Sequence, residues 1–157
     1  MFLTALSTER LKIVPLDPVT AYLTRRRRWF ADKDVVRYSE LRHGTIREFP
    51  GSLWAINADI HIGNLGVEYD IHNQTADLSI LIGEKDYWGK GYGLEAWSIM
   101  LGHLLETYRK VTAGTMAVNV PMLRVFEKSG MEIEGVRKRH FLFEGQEVDL
   151  IMAAKFR

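Results

Sequence analysis

Apolar and polar positions alternate through Arg10-Leu11-Lys12-Ile13-Val14, the period of a half-buried strand, and predict a first strand there. Asp17-Pro18 reads as a helix start, and the pattern predicts helix from there to about Tyr38. Residues 39–51 show no clear period, and Pro50-Gly51 marks a turn. Ser52 to Ala58 and Ile60 to Ile71 read as strands. His72-Asn73-Gln74 then turns the chain into a further strand over Ala76 to Ile82. Beyond Tyr87-Trp88-Gly89-Lys90-Gly91-Tyr92-Gly93 the period becomes helical, with Leu94, Trp97, Leu101, Leu104, Leu105 and Tyr108 on one face. Val111 to Val118 is a strand, and Pro121 to Ser129 is a short helix stopped by Gly130. Glu132 to Phe143 and Val148 to Phe156 form a closing strand pair around Glu144-Gly145-Gln146. This order predicts an α+β fold: a mixed, mostly antiparallel sheet of about seven strands, flanking helices and one central strand–loop–helix–strand unit. No repeat or low-complexity linker interrupts it, so a single domain over 1–157 is expected.

Composition narrows the function. Hydrophobic residues make up 46% of the 157 and charged residues 26%, the balance of a globular domain. A net charge of +1 gives no global attraction to nucleic acid or membrane. There is no apolar run of about 18 residues and no secretory leader pattern, so a cytoplasmic location is expected. The chain has no cysteine, which excludes disulfides, thiolate metal sites and a cysteine nucleophile. Its five histidines lack metal-site spacing, so no metal is expected. The run Arg25 to Arg28 spreads round a helix and reads mainly as solvated surface. A contact for a phosphate or carboxylate on a substrate is the functional alternative, and nearby Asp32 and Asp34 argue against nucleic acid.

The glycines of the Tyr87 to Gly93 stretch mark bare backbone between a strand and a helix start, where amides and the helix dipole favour an anion. The NTPase phosphate loop is excluded by spacing: five residues separate Gly83 from Gly89, and Gly91 follows Lys90 where a hydroxyl is needed. Gly91-Tyr92-Gly93-Leu94-Glu95-Ala96 fits the dinucleotide fingerprint literally. The acidic residue that should follow is missing, since no Asp or Glu lies between Glu106 and Glu127. A dinucleotide-binding oxidoreductase is thus a remote alternative.

The third reading is a diphosphate cradle for coenzyme A. Ile82-Gly83 … Trp88-Gly89-Lys90-Gly91-Tyr92-Gly93-Leu94-Glu95-Ala96 resembles the acyl-CoA loop of the GNAT superfamily of N-acetyltransferases, written [QR]-x-x-G-x-[GA], with Trp88 at the Gln/Arg position. Tryptophan there with Gly89 is similar to the branch that acetylates ribosomal-protein N-termini, polyamines and amino sugars. A second block, Asn119 to Met131, resembles the family's N-x-x-[AS]-x-x-[LV]-[YF]-x-K-x-G-F through Asn119, Val125, Phe126, Lys128 and Gly130, with Met122 and Met131 departing. A third echo, Glu134-Gly135-Val136-Arg137 … Gly145-Gln146 … Asp149, is like that branch's closing hairpin.

The resemblance, over about residues 8–156, implies transfer of an acetyl group from acetyl-CoA to a primary amine by direct attack in a ternary complex. With no cysteine and no G-x-S-x-G serine, an acyl-enzyme is disfavoured independently. The resemblance places the diphosphate at Trp88, Gly89, Lys90, Gly91, Tyr92, Gly93 and Leu94, and the pantetheine arm along Ile80, Leu81, Ile82 and Gly83. Asn119, Met122, Phe126 and Lys128 would line the other side. The carbonyl oxygen would meet amides near Leu81 and Ile82. Asp77 stands where many relatives carry a Glu and is the first candidate for the base, with Glu68, Asp70 and Glu84 as rivals. An Asp at a strand start is also an ordinary surface residue, and Asn119 has an alternative as a residue that simply satisfies backbone at a strand end. Relatives that use a Tyr or Ser as thiolate acid have it where this chain carries Phe126 or Met122, leaving Tyr92, water or no acid. The acceptor would be a small-molecule amine, with an amino-sugar nucleotide favoured by Arg137-Lys138-Arg139-His140 and the first helix. A protein N-terminus and a polyamine stay open. A non-catalytic acyl-CoA-binding module is the other class, and a homodimer through the sheet or through Val148 to Phe156 is compatible with the sequence.

Overall fold

The computed structural model describes residues 4–17, 25–44 and 49–157. The strands are β1 (Leu6–Ser7), β2 (Lys12–Pro15), β3 (Ser52–Asn57), β4 (His61–Asp70), β5 (Thr75–Ile82), β6 (Lys110–Met116), β7 (Glu132–Phe143) and β8 (Gln146–Phe156). The helices are α1 (Arg25–Ala31), α2 (Tyr92–Thr107) and α3 (Val120–Lys128). The eight strands form one sheet in the order β1-β2-β3-β4-β5-β6-β8-β7. The strand beyond the predicted seven is the two-residue β1, too short to carry a period.

Local chemistry accounts for the turns. Asp70 ends β4 by accepting from the Asn73 backbone N–H at 2.9 Å and from Asn73 Nδ2 at 2.7 Å. Glu144 (φ 50) and Gly145 (φ 77) form a two-residue turn with both residues left-handed, and this sets the β7–β8 hairpin. The Asn119 side chain accepts from Met122 N at the start of α3, with Pro121 in the first turn. One expectation fails. Residues 18–24, which carry the predicted start of the first helix, lie outside the described residues, and the helix ends at Ala31 rather than near Tyr38. The Asp32 carboxylate accepts from Asp34 N at 3.0 Å and diverts the backbone into turns. A 3-10 turn (Glu40–His43), capped by Ser39, follows.

Strand alternation assigns the two faces of the sheet. Ala76, Leu78, Ile80 and Ile82 of β5 and Val111 and Ala113 of β6 join one core with Trp97, Met100, Leu101 and Leu104 of α2 and Phe126 of α3. Asp77 and Leu81 of β5, and Thr112 and Met116 of β6, therefore point to the opposite face. There Met116 packs with Phe143, Val148 and Tyr38 in a separate small cluster. Trp29 of α1 covers the end of β5 on this second face: a Cβ on Gly83 would lie 1.9 Å from Trp29 Cδ2. The segment after α1 then crosses from β5 to β7. Lys85 bridges Asp32 (2.8 Å) and Asp34 (2.7 Å) at one end, and Tyr38 stacks on Phe143 at 5.7 Å at the other.

Two glycine substitutions test this packing with opposite signs. Gly83→Ala drives a methyl into the Trp29 ring, and urea denaturation should show a loss of about 1–3 kcal/mol. Gly102→Ala, in α2 with nothing within 4 Å of the new Cβ, should gain about 1 kcal/mol from helix propensity.

Candidate active site

The ladder between β5 and β6 is parallel and very short. Thr75 pairs with Lys110, Ala76 with Val111 and Asp77 with Thr112, and pairing then stops. β5 stays paired with β4 out to Ile82, and β6 with β8 out to Met116. The two strands thus diverge beyond Asp77 while each remains held on its outer side. Gly83 N donates to Ile62 O at 2.8 Å, and the antiparallel alternation then fixes which residues face the gap. Ile80 and Ile82 turn their backbone groups into it. Leu81 turns its own toward β4, and its carbonyl lies 2.3 Å from where a Cβ on Gly63 would sit. Of the two amides the sequence singles out, Ile82 faces the gap and Leu81 does not. Ile82 O accepts from Trp88 Nε1 at 2.9 Å, so the half-exposed indole sits at the gap's edge.

The glycine loop runs from the end of β5 into α2. Gly89 (φ 70) and Gly91 (φ 84) are left-handed, the conformation that selects glycine. Gly91 is the N-cap of α2 and offers no side chain, so the first amides of the helix, at Tyr92, Gly93 and Leu94, have no capping partner. Gly93 sits against β5, where an added Cβ would lie 3.7 Å from Ile82 Cγ1. The loop is tied down from the chain's beginning. Arg10 donates to Lys90 O at 3.0 Å and to Glu95 Oε2 at 2.7 Å, and its guanidinium lies 4.2 Å over the Tyr92 ring. Thr8 also hydrogen-bonds Glu95. Partial desolvation works against the Glu95 charge, but the Thr8 and Arg10 hydrogen bonds outweigh it and hold the carboxyl below its ordinary range. Sequence reading misses this clamp, because Arg10 and Glu95 are far apart in the chain and each looks like surface.

Asp77 is the last residue before the strands part. Its carboxylate accepts from Thr112 Oγ1 at 2.6 Å. Desolvation by the sheet raises its pKa above the ordinary aspartate range, the Thr112 hydrogen bond pulls it partly back, and Glu68, directly across the β4–β5 ladder, pushes it up again. Among the rival carboxylates, Glu84 is occupied by Arg28, by Trp29 Nε1 at 2.9 Å and by Arg25 at 3.6 Å. Asp70 is held below its ordinary range chiefly by the Asn73 side chain. Asn119 is fully engaged, accepting from Met122 N and donating to Thr115 Oγ1 at 3.0 Å. Phe126 is buried against Trp97 at 5.9 Å, and Met122 is partly buried beside the core. Lys128 lies in the last turn of α3, a helix length away from Asn119.

Two cavities open among the described residues. One, of about 490 Å³, lies on the β4 side of the loop, between the Ala58–Ile60 turn and Tyr87, Lys90 and Tyr92. Tyr87 donates to Asp59 there, which pushes the Tyr87 phenol up to about 12. Tyr92 therefore faces away from the gap, toward Arg10. The other, of about 320 Å³, lies on the α1 face, with Lys33, Arg37 and Arg42 above Val36, Leu142 and Phe143. The cations that the sequence offered for this role sit elsewhere. Arg25 donates to His61 O at 3.1 Å, Arg26 is buried and Arg28 pairs with Glu84. Arg139 on β7 is bound to Glu147 and Asp149.

A family model described as an acetyltransferase (GNAT) domain matches residues 10–132, which hold the clamp, the glycine loop, the strand gap and α3. The chain belongs to the GNAT acetyltransferases. It is an acyl-CoA-dependent N-acetyltransferase whose donor is acetyl-CoA. The gap with its inward-facing amides and the uncapped, left-handed glycine loop fit that donor. The dinucleotide alternative is thereby overturned. No curated protein sequence matches the chain. Among solved structures, the fold is shared with a GNAT-family acetyltransferase from Bacillus anthracis (20% identity, 98% of both chains, TM-score 0.79). It is shared also with the ribosomal-protein alpha-N-acetyltransferase RimL in complex with coenzyme A (11% identity, 98% of both chains, TM-score 0.82). A variant of spermidine N-acetyltransferase SpeG from Vibrio cholerae gives 15% identity over 95% of both chains, with a TM-score of 0.74. Among the described residues no helix is long and apolar enough to cross a membrane.

The clamp makes a prediction. Arg10→Gln frees the glycine loop and should weaken acetyl-CoA binding about two- to tenfold by calorimetry, through the cost of ordering the loop. Its effect on stability should stay below about 1 kcal/mol, since the ion pair is exposed.

Proposed function

We propose that this GNAT acetyltransferase acetylates the amine of a small molecule by direct attack within a ternary complex, with Asp77 as the general base. The observation that carries this reading is the position of Asp77: a desolvated carboxylate at the point where β5 and β6 part. Acetyl-CoA supplies a thioester carbonyl as the electrophile. The amide N–H groups of Ile80 and Ile82, which face the gap, are the donors for the developing oxyanion. Gly89 to Leu94 bind the diphosphate through amides, and the partly buried Met122 packs beside the arm with Phe126 buried behind it. An amine of pKa about 10 must shed its proton before attack, and a carboxylate whose pKa is raised is a better acceptor for it than an ordinary aspartate. Tyr92 points away, so the departing thiolate takes its proton from water or leaves unassisted.

The acceptor enters on the α1 face, because α2 and α3 fill the other. On that face a cavity is lined by Lys33, Arg37 and Arg42. A polyamine, itself a polycation, is repelled there, which leaves an amino sugar or another small amine as the favoured acceptor and a protein N-terminus as the second.

The test is thiol release from acetyl-CoA against a panel of amines. Asp77→Asn should lower kcat by about 10²–10⁴-fold with the acetyl-CoA Kd unchanged, and should remove the acid limb of the kcat/KM profile, which in the wild type lies above the ordinary aspartate range. A loss of acetyl-CoA binding, or an unchanged acid limb, would sink the assignment. Stability gives an independent check. The folded pKa of Asp77 is raised, so the folded state binds the extra proton and gains stability as pH falls through that value; at neutral pH the ionised carboxylate is a cost. Asp77→Asn should therefore match or exceed the wild-type Tm at pH 7.

A further inference from the structure

We infer that the cavity on the α1 face is an anion subsite, and that the acceptor amine carries a phosphate monoester that docks there. The inference rests on the acetyltransferase reading above and names the substrate class of that site. Lys33, Arg37 and Arg42 give the cavity three permanent cations, and Glu144 is its one carboxylate. That surplus matches a dianion better than a single carboxylate. Arg37 holds Glu144 at 3.2 Å in an exposed pair, a partner that an incoming phosphate can replace. Lys33 has no ion-pair partner among the described residues. Arg42 is braced by donating to Ser39 O at 2.8 Å and to Leu142 O at 3.4 Å, which fixes its guanidinium at the rim. Val36, Leu142 and Phe143 give the floor an apolar patch suited to a carbon skeleton.

Phe143 ties this cavity to β6, one of the two strands that border the gap. Continuing the β5–β6 register past Asp77 and Thr112 puts Leu81 level with Met116. Met116 packs with Tyr38 and with Phe143, and Phe143 lines the cavity. Asp77 lies four residues earlier, about 13 Å along the strand at the usual rise. A molecule of amino-sugar phosphate size can therefore hold its amine over the gap and its phosphate among the cations. The phosphates of acetyl-CoA are served elsewhere, because the glycine loop leads into α2 on the opposite face of the sheet.

The experiment compares glucosamine 6-phosphate with glucosamine. Calorimetry on the free protein reads binding without the donor, and thiol release with acetyl-CoA reads turnover. The phosphorylated amine should bind at least about tenfold more tightly than glucosamine, as charge-assisted hydrogen bonds to a phosphate imply. The double variant Lys33→Gln, Arg37→Gln should erase that preference while leaving the acetyl-CoA Kd unchanged. Glu144→Gln, which removes the competing carboxylate, should tighten binding of the phosphate ester. Equal binding of the two amines by the wild type overturns the inference. So does a loss of acetyl-CoA affinity in the double variant, which would make the cavity a seat for the donor's phosphate. Phosphate-selective binding with no acetyl-CoA binding would uphold the subsite and refute the acetyltransferase reading, so the two fail separately.

Discussion

Everything at the site depends on a parallel ladder that stops after three residue pairs. A strand that loses its neighbour leaves backbone donors and acceptors without partners, and such groups are not left idle in a folded protein. Here the divergence is enforced from outside. β5 is zipped to β4 and β6 to β8 over their full lengths, so neither strand can swing back to close the gap. The inward amides of Ile80 and Ile82 are then held in place by two antiparallel ladders rather than by a loop. Preorganisation of this kind removes the reorganisation cost from the moment of reaction.

The sheet also separates two unlike faces on either side of the gap. One face is filled by α2 and α3, whose apolar side chains form the main core, and the glycine loop delivers its amides from that side. The other face carries α1 and the segment that runs from Asp32 to His43. That segment is fastened at both ends, to Lys85 below β5 and to Phe143 on β7, and so forms a bridge over the mouth of the gap. Asp77 looks out on this second face, below the bridge. Charge follows the same division, with Lys33, Arg37 and Arg42 gathered on the α1 face and an acidic pair, Asp77 and Glu68, at the root of the gap.

Local patterns made much of the architecture legible. The strands of the central hairpin, the α2 stripe and the left-handed glycines each follow from residues close in sequence, where turn chemistry and side-chain period act directly. The first helix was over-extended because Val35 and Val36 continue an apolar pattern past Ala31, while Asp32 offers the backbone a competing hydrogen bond. The short β1 has no period to show. At the site, the loop could be read because positive φ selects glycine. The orientation of Leu81 could not, since it depends on which side of β5 pairs with β4. The cationic cavity was likewise hidden. Arg42 comes from a stretch without period and Arg37 from the part of the predicted helix that the chain does not form, while the conspicuous run at Arg25 to Arg28 is largely spent on holding α1 to β4 and Glu84.

The clamp on the glycine loop has a consequence for how the protein becomes functional. Arg10 and Thr8 lie in the turn that joins the first two strands, whereas Glu95 and Lys90 are more than half-way along the chain. Closing so long a loop is among the later events in folding, since its entropy must be met by contacts already in place. A newly made chain can thus assemble its sheet centre before its nucleotide cradle sets. A cut or a bulky fusion near Arg10 would leave a folded protein whose defect shows up 80 residues away.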